Sequence, residues 1–321
     1  GDLLGTLPPA RVPPSFSPPL LTVRAAPEDG GDVMRLLRAL RELGDEDPNL
    51  EVLWVPEKQE IHLRVTGRVQ LEVLSEFLRE RYGLGVRFGT PSIVYRETPV
   101  RAARGFDSYT MPKPCWAEIE FRIEPLPRGS GLRYSAQIDP RRIDYRYQAH
   151  IETSVPRALR QGLMGWEVTD LAVTLTGGSQ HHVHTHPLDF FVCTPMALMD
   201  GLRHAGTKLL EPILAVRFQA PEECLGRTVS LLVAHRGEFD SPVVRGGRFT
   251  LDARVPAEEA LDFPADYAAL TSGTGRVGMR FLEYADCPPG HGSARERTGV
   301  DPLDRPLWIL HARGAYAGHI E

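Results

Sequence analysis

The sequence predicts an α+β chain in which two β-α-β-β-α-β units flank a middle segment of mixed type. Three observations predict it. The same order of alternating and helically spaced apolar residues occurs near both ends. Turn-forming residues separate the elements at regular intervals, and the stretch between the two units carries strand and helix patterns of its own. At 321 residues the chain has room for two or three separate cores.

Residues 1–19 carry Pro8, Pro9, Pro13, Pro14, Pro18 and Pro19. A backbone with so few donors and such fixed φ angles reads as an extended linker. A short apolar strand is expected at 20–26 and a turn at 27–31. Val33, Leu36, Leu37, Leu40 and Leu43 then recur on one helical face, with Pro48 beyond the end of that helix. Strands follow at 51–55 and at 60–65, where Ile61, Leu63 and Val65 alternate with Glu60, His62 and Arg64. A helix over 68–81 is expected to bury Val69, Val73 and Phe77 beside Leu71, Leu74 and Leu78, and to stop at Gly83. Residues 85–88 supply a last strand. This is the order of the ferredoxin-like split unit.

The same order returns with a strand at 213–218 and a helix over 221–234 that opens on Pro-Glu-Glu. Strands at 238–244 and 248–255 follow, then a helix over 257–270 interrupted by Pro264, then a strand at 276–284. In the middle segment, 98–209, Ala117, Ile119, Phe121 and Ile123 alternate with charged residues as in a half-buried strand. Tyr147, Ile151 and Val155 have helical spacing, and Pro156 is expected to kink or restart that helix. Residues 168–175 read as another strand. Thr194-Pro195 reads as an N-cap followed by proline at the first helical position, with Gly206 as the stop. Beyond Cys287 a Pro/Gly-rich connection leads to a short terminal helix around 302–313.

Composition narrows the function classes. Hydrophobic content of 42% and charged content of 25% suit a soluble globular protein. No apolar run approaches the length of a membrane span, and no basic-then-apolar leader opens the chain, so neither membrane insertion nor secretion is supported. The start at Gly1 rather than Met is read as the mark of a piece cut from something longer. Cys115, Cys193, Cys224 and Cys287 form no CxxC pair, and four free thiols suit a reducing cytoplasm. A net charge of −5 argues against bulk electrostatic capture of nucleic acid. It leaves room for a local basic face built from Arg101, Arg104, Arg141, Arg142 and Arg146, which reads equally well as a solvated face without a partner.

Gly273-Thr274-Gly275-Arg276-Val277-Gly278 matches GxGxxG, but a helix precedes it and a strand follows, so it reads as a turn. No GxxxxGK[ST] occurs, so no phosphate-cradling loop or nucleotide hydrolysis is expected from these residues. No serine or cysteine sits in a nucleophile motif, and Asp139, Asp144 and Asp170 read as turn and cap residues, so no catalytic residue is nominated. The most unusual chemistry is His181-His182-Val183-His184-Thr185-His186. On an extended backbone His182, His184 and His186 would share a face and could ligate a borderline metal, while the bland reading is an exposed recognition loop.

Several strings resemble translational GTPases of the elongation factor G type. Residues 44–48, Gly-Asp-Glu-Asp-Pro, resemble the EEDP or DSDP after the first helix of their domain III. Residues 66–73 resemble the start of that domain's second helix, and Pro91-Ser92-Ile93-Val94-Tyr95-Arg96-Glu97 resembles the PxVxYRE that ends it. Leu209-Leu210-Glu211-Pro212 is similar to the LLEP that opens domain V, and Ala220-Pro221-Glu222-Glu223 to its helix start. Two further strings narrow the resemblance to the tetracycline-resistance ribosomal protection proteins. Residues 114–131 are similar to their PFWAS…PLPLGSG, and residues 161–170 to their QGLYGWNVTD.

The resemblance implies a linker at 1–19 and a ferredoxin-like domain III at 20–97. It implies a domain IV of the ribosomal protein S5 domain 2-like kind at 98–209. A ferredoxin-like domain V at 210–287 and a tail with a short helix at 288–321 complete it. It implies a cytoplasmic, monomeric protein that docks on ribosomal RNA and proteins, reaches the decoding region through the domain IV tip, and dislodges tetracycline. GTP and Mg are expected of the full-length protein, none of this chain. The implied RNA-contacting tip is Gln180, His181, His182, Val183, His184, Thr185 and His186, with Arg141, Arg142 and Arg146 as basic neighbours. The family's Ser-Pro-Val at the tip is replaced by His182-Val183-His184, while Pro187, Asp189 and Phe190 keep the frame. Two alternatives stand beside this reading: an elongation-type paralogue acting in translocation or recycling, and a metal-binding module using the histidine loop.

Overall fold

The computed structural model describes residues 19–314, apart from Asp29, Pro48, Glu57, Lys58, Pro112 and Lys113. The proline-rich reading, save Pro19, and the stop at Pro48 lie outside the described residues. The described residues pack as two compact units, those up to Val94 with Pro212–Glu283, and Tyr95–Glu211 with those from Tyr284. It is α+β, as expected.

In the first unit β1 (Leu21–Pro27), α1 (Val33–Glu46), β2 (Glu51–Val55), β3 (Glu60–Val65), α2 (Arg68–Tyr82) and β4 (Val86–Phe88) form a sheet of order β2-β3-β1-β4, with β5 (Ser92–Ile93) pairing on β1. The Asp32 side chain caps α1 by accepting the Met34 and Arg35 N–H groups. Leu36, Leu37, Leu40 and Leu43 are buried, as are Val23, Ile61 and Leu63 of the sheet. α2 buries only half of its expected apolar set. Leu71, Leu74 and Leu78 are buried, but Val69 is 71% exposed, and Val73 and Phe77 are exposed as well. Six apolar positions span more than one face of a helix, and the triad at 71, 74 and 78 takes the core side.

The second unit opens with β6 (Arg96–Pro99), β7 (Ala103–Tyr109), β8 (Ala117–Pro125) and β9 (Leu132–Ala136). It continues with α3 (Tyr145–Ala158), β10 (Glu167–Val168), β11 (Leu171–Ser179) and α4 (Pro187–Ala205). The sheet order is β7-β8-β11-β9, with the β9–β11 pair parallel. α3 and α4 pack together with this sheet around Phe121, Ile123, Ile151, Val173, Phe190 and Met196. Pro156 does not restart α3, which runs through it to Ala158, because it falls in the last turn, where little helix remains to disrupt. The strand expected at 168–175 is two strands, divided at Asp170, whose φ is +56°. α4 starts at Pro187, not at Pro195. Thr194 is mid-helix, and its hydroxyl donates to the Phe190 carbonyl at 2.7 Å. Gly206 is the stop, as read. β5, β6, β7 and β9 carry no alternation strong enough to be expected from sequence.

The chain then runs through β12 (Thr207–Pro221), whose residues from Ile213 pair antiparallel with the later β15. A 3-10 turn (Glu222–Cys224) precedes α5 (Leu225–Ala234), so the helix opens later than a Pro-Glu-Glu start implies. β13 (Glu238–Phe239) and β14 (Val243–Arg245) replace one continuous strand at 238–244, and both pair with β15 (Arg248–Pro256). α6 (Phe263–Leu270) carries Pro264 in its first turn, so this proline begins the helix and does not interrupt it. The turn covers 271–273, and Arg276-Val277-Gly278 of the glycine motif already belongs to β16 (Arg276–Asp286), which pairs with β12, so only the start of the motif lies at the turn. The final helix, α7 (Arg305–Ala312), belongs to the second unit. Its Trp308 indole donates to the Val192 carbonyl of α4 at 2.9 Å.

Candidate functional site

Residues 180–186 join the end of β11 to the start of α4, and one buried threonine sets their path. Thr185 is 8% exposed. Its Oγ1 accepts the His181 N–H at 2.8 Å and donates to the Trp116 carbonyl at 2.6 Å. Its N–H donates to the His181 carbonyl at 3.0 Å, and its carbonyl accepts the Tyr147 hydroxyl at 3.2 Å. Asp189 fastens the helix end, accepting the N–H groups of His186 at 2.9 Å and Trp116 at 3.2 Å. Ser179 fastens the strand end, donating to Glu118 at 2.6 Å and accepting the Trp116 indole N–H at 3.0 Å. Gly178, at φ +140°, is required where β11 ends, because a Cβ there would lie 2.1 Å from the Glu118 carbonyl.

On this base His181, His182, Val183 and His186 are exposed, and Val183 presents 72% of its surface. The backbone from His182 to His184 is a turn, so the extended strand that would place His182, His184 and His186 on one face is not present. Among the described residues no group of three or more His, Cys, Asp or Glu is placed to hold a metal ion. The imidazoles stack instead. His181 and His184 lie ring on ring at 4.5 Å and 19°, and the Trp116 ring sits 5.7 Å from His181 on a tilt. The Val183 N–H donates to His181 Nδ1 at 3.2 Å, which requires an unprotonated Nδ1 and a hydrogen on Nε2.

The expected tip residues therefore divide. Thr185 is the anchor, and Gln180 is a tie: its N–H donates to the Arg142 carbonyl at 3.1 Å, and its Oε1 accepts the Asp144 N–H at 2.8 Å. Through Gln180 the segment carrying Arg141, Arg142 and Arg146 lies beside the loop. Arg141 is paired with Asp139 at 2.6 Å, and that hydrogen bond holds the Asp139 carboxyl below its ordinary range. Arg146 lies 3.5 Å from Asp144 and 4.5 Å from the Tyr147 ring. Arg101 donates to the His204 carbonyl at the other end of α4, roughly 27 Å along the helix. Arg104 pairs with Glu120 on the sheet, so the five arginines do not form one face. Sequence reading missed one tip residue. Trp116 underlies the histidine stack, and the PCWA string that contains it was its only signal.

A second cluster holds the unit together. Glu97 is fully buried, its Oε1 accepting the Met164 and Trp166 N–H groups at 2.9 Å each and its Oε2 the Thr207 hydroxyl at 2.8 Å. Burial pushes this carboxyl up, against those hydrogen bonds, which hold it down. Residues 291–298 strap the same loop. The Ser293 carbonyl accepts the Trp166 indole N–H at 2.7 Å, and Arg295 donates to the Gly165 carbonyl at 2.8 Å. Arg297 donates to the Gln161 and Gly162 carbonyls at 2.8 and 3.1 Å.

Three family profiles tile this architecture. Elongation Factor G, domain III matches residues 16–90; Elongation factor G, domain IV matches 91–206; and Elongation factor G C-terminus matches 208–294. The chain belongs to the elongation factor G-like family. Among the relatives of this elongation factor G-like chain is the tetracycline resistance protein TetP of Clostridium perfringens, 34% identical over 94% of the chain and 46% of that protein. TetW of Butyrivibrio fibrisolvens is 33% identical over 79% of the chain and 40% of its own length. An elongation factor G-like protein of Thermotoga maritima is 30% identical over 87% and 41% respectively. A crystal structure from Thermus thermophilus superposes with a TM-score of 0.66 and 28% identity, over 97% of this chain and 46% of that one. The chain thus spans less than half the length of the curated relatives it matches. Among the described residues no helix is long and apolar enough to cross a membrane.

Proposed function

We propose that this chain is the ribosome-engaging part of a cytoplasmic, monomeric protein that protects the ribosome from tetracycline by dislodging the drug. In this reading the whole protein uses GTP with Mg, and residues 20–97 transmit the state of its GTPase domain. Residues 98–209 are the lever, residues 210–287 sit near the GTPase-activating region of the large subunit, and residues 288–321 brace the lever. The observation that carries the reading is the tip. A turn buttressed by Thr185, Asp189 and Trp116 lifts His182 and Val183 into solvent beside Arg142, as a loop inserted against folded RNA requires. The similarity to TetP over 94% of the chain supports the drug as the target.

The second reading is an elongation-type paralogue acting in translocation or recycling. The Thermotoga maritima relative and the His182-Val183-His184 tip favour it. Chemical protection of small-subunit RNA, with the native chain and with alanine at His181, His182, Val183 and His184, tests the tip. The native chain is expected to protect decoding-region nucleotides, and the variant, still folded, to lose that footprint. An unchanged footprint would remove the tip from the account.

A further inference from the structure

We propose that the tip engages RNA with uptake of a proton, so that the histidine stack is a neutral resting state and the bound state carries imidazolium on phosphate. The inference rests on the tip reading above and adds its ligand chemistry, the phosphodiester oxygen, and its control by pH.

The resting geometry is that of two neutral rings. His181 Nδ1 accepts the Val183 N–H at 3.2 Å, and an imidazolium, which carries hydrogen on both nitrogens, cannot accept. His184 lies on the same ring at 4.5 Å and 19°, an arrangement two like charges oppose. The elements around the stack present the following charged and titratable groups. From β8, Glu118 accepts from Ser179 and Ser108. From the segment before α3, Asp144 lies against Arg146 and Asp139 against Arg141, while Arg142 stands beside them. From α3, the Tyr147 hydroxyl donates to the Thr185 carbonyl. From α4, Asp189 accepts two backbone N–H groups, and His186 and His182 complete the loop. Among the described residues no carboxylate lies within ion-pair distance of His181, His182, His184 or His186.

The free chain therefore offers these imidazoles no anion, and a phosphate would. A phosphate oxygen accepts from imidazolium N–H, which favours the charged form of the ring it touches. Protonating His181 releases the Val183 N–H and opposes the stack, so the turn at 182–184 opens as the charge appears. Linkage fixes the sign. A state that binds one more proton gains affinity as pH falls, by at most about tenfold per pH unit.

Binding of the full chain to small ribosomal subunits at fixed salt, measured from about pH 8 to 6, tests this. Four proteins are compared: native, His181→Gln/His184→Gln, His204→Gln as a remote control, and a glycine-serine replacement of 180–186. Native and His204→Gln are expected to tighten by about tenfold or more as pH falls, while the double glutamine variant binds with a flat profile. A flat native profile, with the loop replacement still weakening binding, would overturn proton uptake and leave the tip reading standing. A loop replacement that binds like native at every pH would overturn both.

Discussion

Replacing Glu97 by leucine is expected to lower the stability of the unit formed by Tyr95–Glu211 and the residues from Tyr284 by about 4 kcal/mol, or roughly ten to fifteen degrees in melting temperature. The Met164 and Trp166 N–H groups and the Thr207 hydroxyl all lose their acceptor inside a closed site. A Cβ on Gly162 would lie 2.5 Å from Glu97 Oε2, so backbone encloses the carboxylate and water has no room to substitute. Arg297, only 18% exposed, would also lose a nearby opposite charge. Glutamine separates charge from hydrogen bonding, since its oxygen can serve Met164 and Trp166 while its amide donates to Thr207. The sign with pH follows from the upward shift that burial causes in Glu97. A raised carboxyl stabilises the fold fully below the ordinary glutamate range, and that contribution is lost as pH rises through the folded value. Glu97→Gln is therefore expected to gain on the native protein between about pH 4 and 8. Thermal melts of the three proteins across that range check both statements: a leucine variant within about 1 kcal/mol of native would contradict the first, and a glutamine variant with no gain on native as pH rises the second.

Gly105→Ala is expected to cost about 3 kcal/mol, and Gly201→Ala, on the other side of the same contact, less than that. A Cβ on Gly105 would lie 2.2 Å from the Ala197 carbonyl oxygen and 2.5 Å from the Gly201 nitrogen, both backbone atoms of α4. Neither can move unless the helix moves off β7. A Cβ on Gly201 would meet the Ile123 Cδ1 at 2.6 Å, the end of a side chain, and the backbone of Gly105 only at 3.1 and 3.2 Å, a looser backbone approach than that at Gly105. Alanine also gains about 1 kcal/mol over glycine inside a helix, which offsets part of that strain. Because α4 begins at the tip, the Gly105 substitution should also disturb tip function. Urea denaturation of the two variants decides the point, and equal losses would mean the helix–sheet contact yields on both sides.

What the sequence made legible was local. β3 and β8 show strict alternation, and α1 carries one apolar stripe, so neighbours along the chain suffice to define them. Failures came where distant packing chooses between local options. Thr194-Pro195 has the chemistry of a helix start, yet both residues are buried inside α4, and the true start is His186-Pro187 with Asp189 reaching back. The apolar residues of α2 outnumber the positions its sheet can cover. The strap at 291–298 has no periodicity, because it is held by single bonds from arginines and an indole to backbone carbonyls. At the tip the histidines were visible as a string. Their stacking, the role of Trp116, and the burial of Thr185 depend on contacts between β8, α3 and α4 that no window of sequence contains.

The central claim is that the loop at 180–186 acts on the drug-bound ribosome. Its most direct test is growth of a tetracycline-sensitive host against drug concentration, with this chain carried on its complete coding sequence. One strain carries the native loop, and the other a glycine-serine replacement. Higher tolerance is expected with the native loop and none with the replacement at equal protein level. Equal growth of the two strains, with protein folded and bound to ribosomes, would contradict the claim and leave the elongation-type paralogue.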